Sequence, residues 1–464
     1  MQNPSNEPAI LSLSRLRDVL NGEVITPDDA GYDEARMLYY GAERRPAVIV
    51  RPVDANEVSY VISVARDTET ELSVRSGGHS LAAHSVSEGG IMLDLSRMKG
   101  LHIDAEERTA WAQAGLTAAE LTKALGDHGL AVGFGDSGSV GIGGITLGGG
   151  VGFLARKHGL TIDSVLAAEV VTADGRILQA DSDSHPDLFW AVRGGGGNFG
   201  VVTRFKFGLA DVDDVYGGML MLPATPEVIR SFVELADAAP EELSAIANVM
   251  KAPPMPFLPE EQHGKPVLFG IMVYAGHPDA GVEVLSPFRA LADPVLDTLA
   301  PMRYPEIYQM MGEEEDAPKP AAMVVRSMFT DTFDDEAAEA ITEYVGESSA
   351  DMAVAQLRVL GGAVATVPAD ATAYAHRERR IMANVAAMLS EPAEIGSHEE
   401  RADRLVARLR GGTSGVYVNF LSDEGEARIR EAYPDPIWRR LREVKRRYDP
   451  TNLFRLNQNI PPAS

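Results

Sequence analysis

Apolar and polar positions along this chain follow two periods, one of strands and one of helices. Residues 47–50, Ala-Val-Ile-Val, are a short β-branched run suited to a buried strand. Asp54 stands where a helix cap belongs, with Glu57 three residues on as a capping-box partner. Val58, Val61, Ile62 and Ala65 then recur at helical spacing, which predicts a helix with one apolar face. Residues 72–75, 91–95 and 109–114 read as further strands. Thr117 and Glu120 repeat the capping signature, and Leu121, Ala124 and Leu125 continue a helix face that ends near Gly129. Residues 165–172 and 177–180, joined by Ala-Asp-Gly-Arg, predict a hairpin.

From Asp211 to about Gly412 the texture changes. Prolines cluster between Pro253 and Pro266, and an acidic run occupies Glu313 to Asp316. Residues 267–275, 323–329 and 352–359 are strand-like, with helical patterns between them, as in an antiparallel sheet carrying helices on one side. After Gly415, residues 416–420 read as a strand and lead into two charged helical patterns. A chain of 464 residues is too long for one ordinary core. The expected fold class is α+β in two domains: residues 1–210, a substrate-side unit at 211–414, and a segment at 415–464 that returns to the first domain.

Charge and composition narrow the function. A net charge of −26 argues against a nucleic-acid surface, because phosphates would be repelled. Cysteine is absent, which removes disulfides, thiolate metal sites and thiol nucleophiles. No apolar run is long enough to span a membrane, and Met1 to Arg15 lacks the pattern of a secretory leader, so a cytoplasmic location is expected.

The candidate chemistry sits in glycine-rich segments. Arg75-Ser76-Gly77-Gly78-His79-Ser80 follows a predicted strand directly. Its two glycines allow a tight turn with backbone N–H groups brought close to an anion, and its histidine would meet whatever the turn cradles. A second stretch runs from Gly133 through Gly135, Asp136, Ser137, Ser139, Val140, Gly143 and Gly144 to Thr146, Gly149 and Gly150. Its interleaved apolar residues are unlike a flexible linker. G-x-G-x-x-G occurs at 133–138 and at 195–200. The first is followed by more glycine and the second by a strand, so neither has the strand–turn–helix context of a nicotinamide-dinucleotide site, and such a cofactor is rejected.

Residues 75–80, the 133–150 stretch, Asp187 to Thr203 and the closing Tyr448 to Pro461 resemble, in order, four segments of the FAD-linked oxidases of the vanillyl-alcohol-oxidase superfamily, in the berberine-bridge-enzyme-like branch. The likeness runs through residues 46–210 and 415–462 and is loose between them. It implies an FAD-binding domain with a substrate domain over the flavin. It also implies cofactor contacts from Arg75, Ser76, Gly77, Gly78, His79, Ser80, Gly135, Asp136, Ser137, Ser139, Val140, Gly143, Gly144, Thr146, Gly149, Gly150, Gly200, Val201, Asn457 and Asn459. In that family the histidine of the first loop bonds covalently to a methyl carbon of the flavin. A second link, from cysteine, is common, but Ser137 stands at that position and leaves His79 alone. Val140 falls where the family places a residue beside the oxygen-reacting carbon; an ordinary apolar contact is the alternative.

Tyr417 and Asn419 share one face of the expected strand at 416–420. A tyrosine of depressed pKa there would take a substrate proton while the flavin accepts a hydride; a structural hydroxyl is the alternative. Gln356 and Arg358 share a face of another strand, with a solvated sheet surface the favoured reading. His79 and His84 are too weak a pair for a zinc site, His376 beside Arg377 reads as structural, and the Gly78-His79-Ser80 turn lacks the glycine of a serine-nucleophile elbow. The expected activity is oxidation of a small organic substrate with return of the electrons to molecular oxygen. The runner-up is a flavin dehydrogenase with another electron acceptor.

Overall fold

The computed structural model describes residues 11–41, 43–212, 214–254, 258–310 and 320–464. The acidic run Glu313 to Asp316 lies outside the described residues, as do residues 1–10 of the stretch read for a leader.

In the first sheet Val48–Arg51, Ile91–Asp94 and Leu72–Arg75 pair in parallel in that order, and Glu23–Ile25 adds an antiparallel edge. Helix Ala55–Asp67 covers it. Val58, Val61, Ile62 and Ala65 enter one core with Val48, Val50, Ile91 and Leu93, as their spacing requires. Asp54 caps the helix by accepting the Asn56 and Glu57 N–H groups. Glu57 does not close a capping box; its carboxylate accepts instead from Asn21, Gly22 and Val53, which docks the N-terminal segment. The box at Thr117 and Glu120 forms as predicted.

The second sheet is antiparallel, in the order Leu101–Asp104, Thr109–Gln113, Val201–Gly208, Val165–Val171, Ile177–Asp181. It contains the predicted hairpin. A doubly wound dinucleotide-binding sheet would be parallel, so rejection of that fold stands. One premise changes: the glycine run after 133–138 does enter a helix, Ile142–Gly148, of seven residues, three of them glycine.

The large sheet has eight strands, all antiparallel. Asp214–Pro223, Pro266–Tyr274, Leu243–Lys251, Met352–Val359, Ile381–Leu389 and Ala322–Thr330 succeed one another across it. Helices Pro226–Ala238, Asp335–Glu347 and Ile395–Leu409 cover one face, where Ala245, Ala247, Val249, Ala355 and Leu357 pack. Alternation sends Ile246, Asn248, Gln356 and Arg358 to the other face, toward the glycine-rich stretch.

Residues 416–420 are not a strand. A single 3₁₀ turn, Val418–Phe420, closes with the Phe420 N–H donating to Tyr417 O at 2.9 Å. The chain touches the edge strand where Phe329 N–H donates to Gly415 O at 3.2 Å, and Gly415, at φ 126°, then turns it away. The two charged helices that follow are Glu426–Ala432 and Asp435–Tyr448, and the second packs on Pro186–Val192 in the first domain. No helix among the described residues is long and apolar enough to cross a membrane.

Candidate active site

Two loops meet backbone to backbone. A Cβ added at Gly77 would lie 2.1 Å from Gly141 N, and one added at Gly141 would lie 2.2 Å from Gly77 N. No side chain fits at either position, which is why both are glycine. Ser76 stitches the contact, its Oγ donating to Ala114 O at 2.6 Å and accepting the Gly143 N–H at 3.2 Å. Gly78 takes φ 75° and turns the chain outward to His79. On the far side Gly144 is exposed, and a Cβ there would meet nothing within 4 Å.

His79 stands at this seam. Its ring stacks on Tyr39, centroids 4.1 Å apart and planes 19° from parallel, with the edge of Tyr40 at 6.1 Å. Its Nε2 shares a 3.1 Å hydrogen bond with Ser139 Oγ, and Ser139 Oγ shares another of 3.1 Å with Ser137 Oγ. Burial pushes the imidazole down to about 4, against the opposing pull of Asp136, so the ring is neutral near pH 7. His84 is also pushed down to about 4 by burial. Among the described residues no cluster of three metal-ligating side chains exists. Val140, half-buried, packs on the core beneath the stretch.

Gln356 and Arg358 are not on a solvated face. Arg358 is buried, and its Nη2 donates to Asp136 Oδ2 at 2.7 Å. It also donates to Gln356 Oε1 at 2.7 Å and to Val151 O at 3.1 Å, while Gln356 Nε2 donates to Asn248 Oδ1 at 2.8 Å. The second domain closes on the first here, which desolvates the strand face that alternation alone left open.

The tyrosine expectation also changes. Tyr417 and Asn419 do meet, but through the 3₁₀ turn: Asn419 Nδ2 donates to Tyr417 Oη at 2.9 Å. The Gly150 N–H donates to the same oxygen at 2.9 Å. The Tyr417 hydroxyl is raised above its ordinary value, not depressed. Burial outweighs the Gly150 and Asn419 donors and the nearby Arg358 charge, which all act to lower it.

The other expected cofactor residues divide. Arg75 donates to Ala35 O at 2.7 Å and Ser80 Oγ accepts the His84 N–H at 3.2 Å, so both brace the loop. Gly135 O accepts from Tyr308 at 3.0 Å. Gly149, at φ 133°, lies under Tyr374, and Gly150 presses on Thr161. Gly200 sits on Val171 backbone and Val201 is buried in the sheet core. Thr146 Oγ1, Asn457 Oδ1, Asn459 Oδ1 and Arg75 Nε are buried without a hydrogen-bond partner. Those orphaned groups, with the open side at Gly144 and the glycine seam, fit a large cofactor with polar edges such as FAD.

Sequence reasoning missed Tyr39, Asn248 and Lys445. Buried Lys445 donates to Asp449, Asn198 O and Phe454 O, within 2.9 Å of each, and so fixes the tail that carries Asn457 and Asn459. The i,i+4 spacing of Lys445 and Asp449 was the available signal; for Tyr39 and Asn248 none existed, because their partners are distant in sequence.

Comparison with known proteins agrees with this geometry. Residues 46–181 match an FAD binding domain, and residues 416–461 match the family described as berberine and berberine like. The (R)-6-hydroxynicotine oxidase of Paenarthrobacter nicotinovorans is 32% identical over 459 residues, covering 96% of this chain and 97% of that protein. Xylooligosaccharide oxidase of Thermothelomyces thermophilus is 27% identical, covering 90% of this chain and 88% of that protein. The crystal structure of 6-hydroxy-D-nicotine oxidase from Arthrobacter nicotinovorans superposes with a TM-score of 0.83 at 29% identity, covering 96% of this chain and 98% of that one.

Proposed function

This chain belongs to the berberine-bridge-enzyme-like branch of the FAD-linked oxidoreductases, and from that premise we propose that it oxidises a small polar organic molecule and delivers the electrons to molecular oxygen as hydrogen peroxide. Bound FAD supplies the hydride acceptor. The observation that carries the reading is the Gly77–Gly141 seam, with His79 held against Ser139 at its edge.

The chain's own residues bind and orient. Glycine backbone at 77–78 and 141–144 accepts the cofactor closely, and Asn457 and Asn459, on the tail held by Lys445, offer amide oxygens to it. His79 carries one covalent link, the chain having no cysteine for a second. From the sheet side Asp136, Arg358, Gln356 and Asn248 present a hydrogen-bonding face to hydroxyl or amine groups of a substrate; the relatives are named for a hydroxynicotine and a xylooligosaccharide.

Purified protein should be yellow, and its mass should exceed that of the sequence by one FAD. Acid precipitation should leave the colour with the pellet, and His79→Ala should bind FAD but release it into the supernatant. Peroxide release with a panel of sugars, alcohols and amines tests turnover. A colourless protein that takes up no added FAD would sink the reading.

A further inference from the structure

Ser137, Ser139 and His79 form a side-chain hydrogen-bonded chain at the edge of the seam. Ser139 is exposed, lies outside any helix or strand, and makes side-chain hydrogen bonds to His79 and Ser137. The ring nitrogen that meets the Ser139 hydroxyl is Nε2. Tyr39, stacked at 4.1 Å and tied to the loop by its N–H to Gly78 O at 3.1 Å, fixes the ring plane.

A neutral imidazole has one N–H and one lone pair, and the partner of one nitrogen selects the state of the other. A serine oxygen accepting the Nε2–H leaves the lone pair on Nδ1. We propose that Ser139 is the positioning residue for flavin attachment, accepting the His79 Nε2–H so that Nδ1 is the attacking atom, with Ser137 receiving the proton onward. This rests on the covalent link read above for His79. In the step, a bond forms between Nδ1 and a flavin methyl carbon. The methyl group loses one hydrogen as a proton, the imidazole loses the Nε2 proton through Ser139, and the electron pair passes into the flavin. Molecular oxygen takes that pair with two protons, giving hydrogen peroxide and the oxidised, attached flavin. The low proton affinity of the buried ring keeps the lone pair available at neutral pH.

The test uses full-length protein made under riboflavin starvation and mixed with FAD. Total bound flavin and acid-stable flavin are followed separately. At saturating FAD, Ser139→Ala should attach its bound flavin roughly a hundredfold more slowly per FAD bound, the low end of what an aligned proton acceptor contributes. Ser139→Thr, which keeps the hydroxyl, should restore the rate; Ser137→Ala should fall between. Attachment by Ser139→Ala at the wild-type rate overturns the proposal, as does loss of FAD binding itself in that variant. Wild-type protein that releases all its flavin in acid overturns the covalent reading instead, and the proposal with it.

Discussion

Arg358 reaches from strand Met352–Val359, inside the large sheet, to Asp136 in the glycine-rich stretch, Nη2 to Oδ2 at 2.7 Å, with its guanidinium 5.0 Å from the Phe420 ring centre. One buried cation therefore touches the large sheet, the glycine-rich stretch and the C-terminal turn. Asp136 keeps about a quarter of its side chain exposed at 27%, whereas Arg358 keeps 5%, so the arginine is the member that depends on the pair. Burying a guanidinium is costly unless its donors are used, and here Asp136, Gln356 and Val151 O accept them.

Removing either member should loosen the contact between domains unequally. Arg358→Met deletes the guanidinium donors to Asp136, Gln356 and Val151 and should destabilise by on the order of 2–4 kcal/mol. Asp136→Asn keeps an acceptor but leaves the buried guanidinium without its counter-charge, and should cost more. A double-mutant cycle by denaturant unfolding should show coupling of about 1–2 kcal/mol. Additive single effects would mean that the pair is incidental to stability.

Tyr417→Phe separates two roles for one hydroxyl. As an acceptor for the Gly150 N–H and Asn419 amide, Tyr417 leaves the buried Gly150 N–H unpaired when its oxygen is removed, while Asn419 keeps Ile145 O, at a cost of about 1–3 kcal/mol in stability. As a proton acceptor, the same change would cost roughly 10²–10⁴-fold in flavin reduction by substrate with little change in folding. The raised pKa favours the first outcome. Thermal melts and stopped-flow reduction of the same variant decide between them.

Much of the framework was legible because it is local. The Thr117–Glu120 capping box, the face of helix Ala55–Asp67 and the hairpin at 165–180 are written in neighbouring residues. The glycine segments were legible as backbone set for close approach, but the helix within the second and the meeting of Gly77 with Gly141 were not. What failed depended on tertiary context. Residues 416–420 have strand-like side chains, but Gly415 turns them off the edge strand. Gln356 and Arg358 alternate like a solvated face, but Asp136, some 220 residues earlier, covers them. Burial of Tyr417 against Gly149 and Tyr374 reversed the expected direction of its pKa.

Acid should find one weak point at His376. Its ring is buried beside Phe329, with Nε2 within reach of Glu431 O and Ala432 O at 3.0 and 3.1 Å, and burial pushes it down to about 4 from an ordinary 6.5. Between those values the unfolded chain binds a proton that the folded chain refuses. Stability is therefore complete above about pH 6.5 and falls as the pH drops toward 4, by on the order of 3 kcal/mol for this group. His376→Gln keeps an N–H donor and cannot titrate. It should flatten unfolding midpoints between pH 4.5 and 6.5, and a variant as acid-sensitive as wild type would assign the effect to other groups, His84 among them.

Val140 sets the last test, of electron delivery. Its side chain is half-buried where the glycine-rich stretch passes from Ser139 to the Gly141 seam, and it packs on the core below. If that small side chain leaves oxygen a path to the reduced cofactor, dithionite-reduced protein should regain its yellow colour quickly in air. Val140→Leu adds one methylene at a site backed by packed core, which cannot absorb it freely. Reoxidation by oxygen should slow more than reduction by substrate does, because only the first needs the path. Both rates are read from flavin absorbance in one stopped-flow instrument. Equal slowing would point to a general distortion of the seam, whereas wild-type protein that stays bleached in air for many minutes would exclude oxygen as the acceptor and leave a dehydrogenase built on the same site.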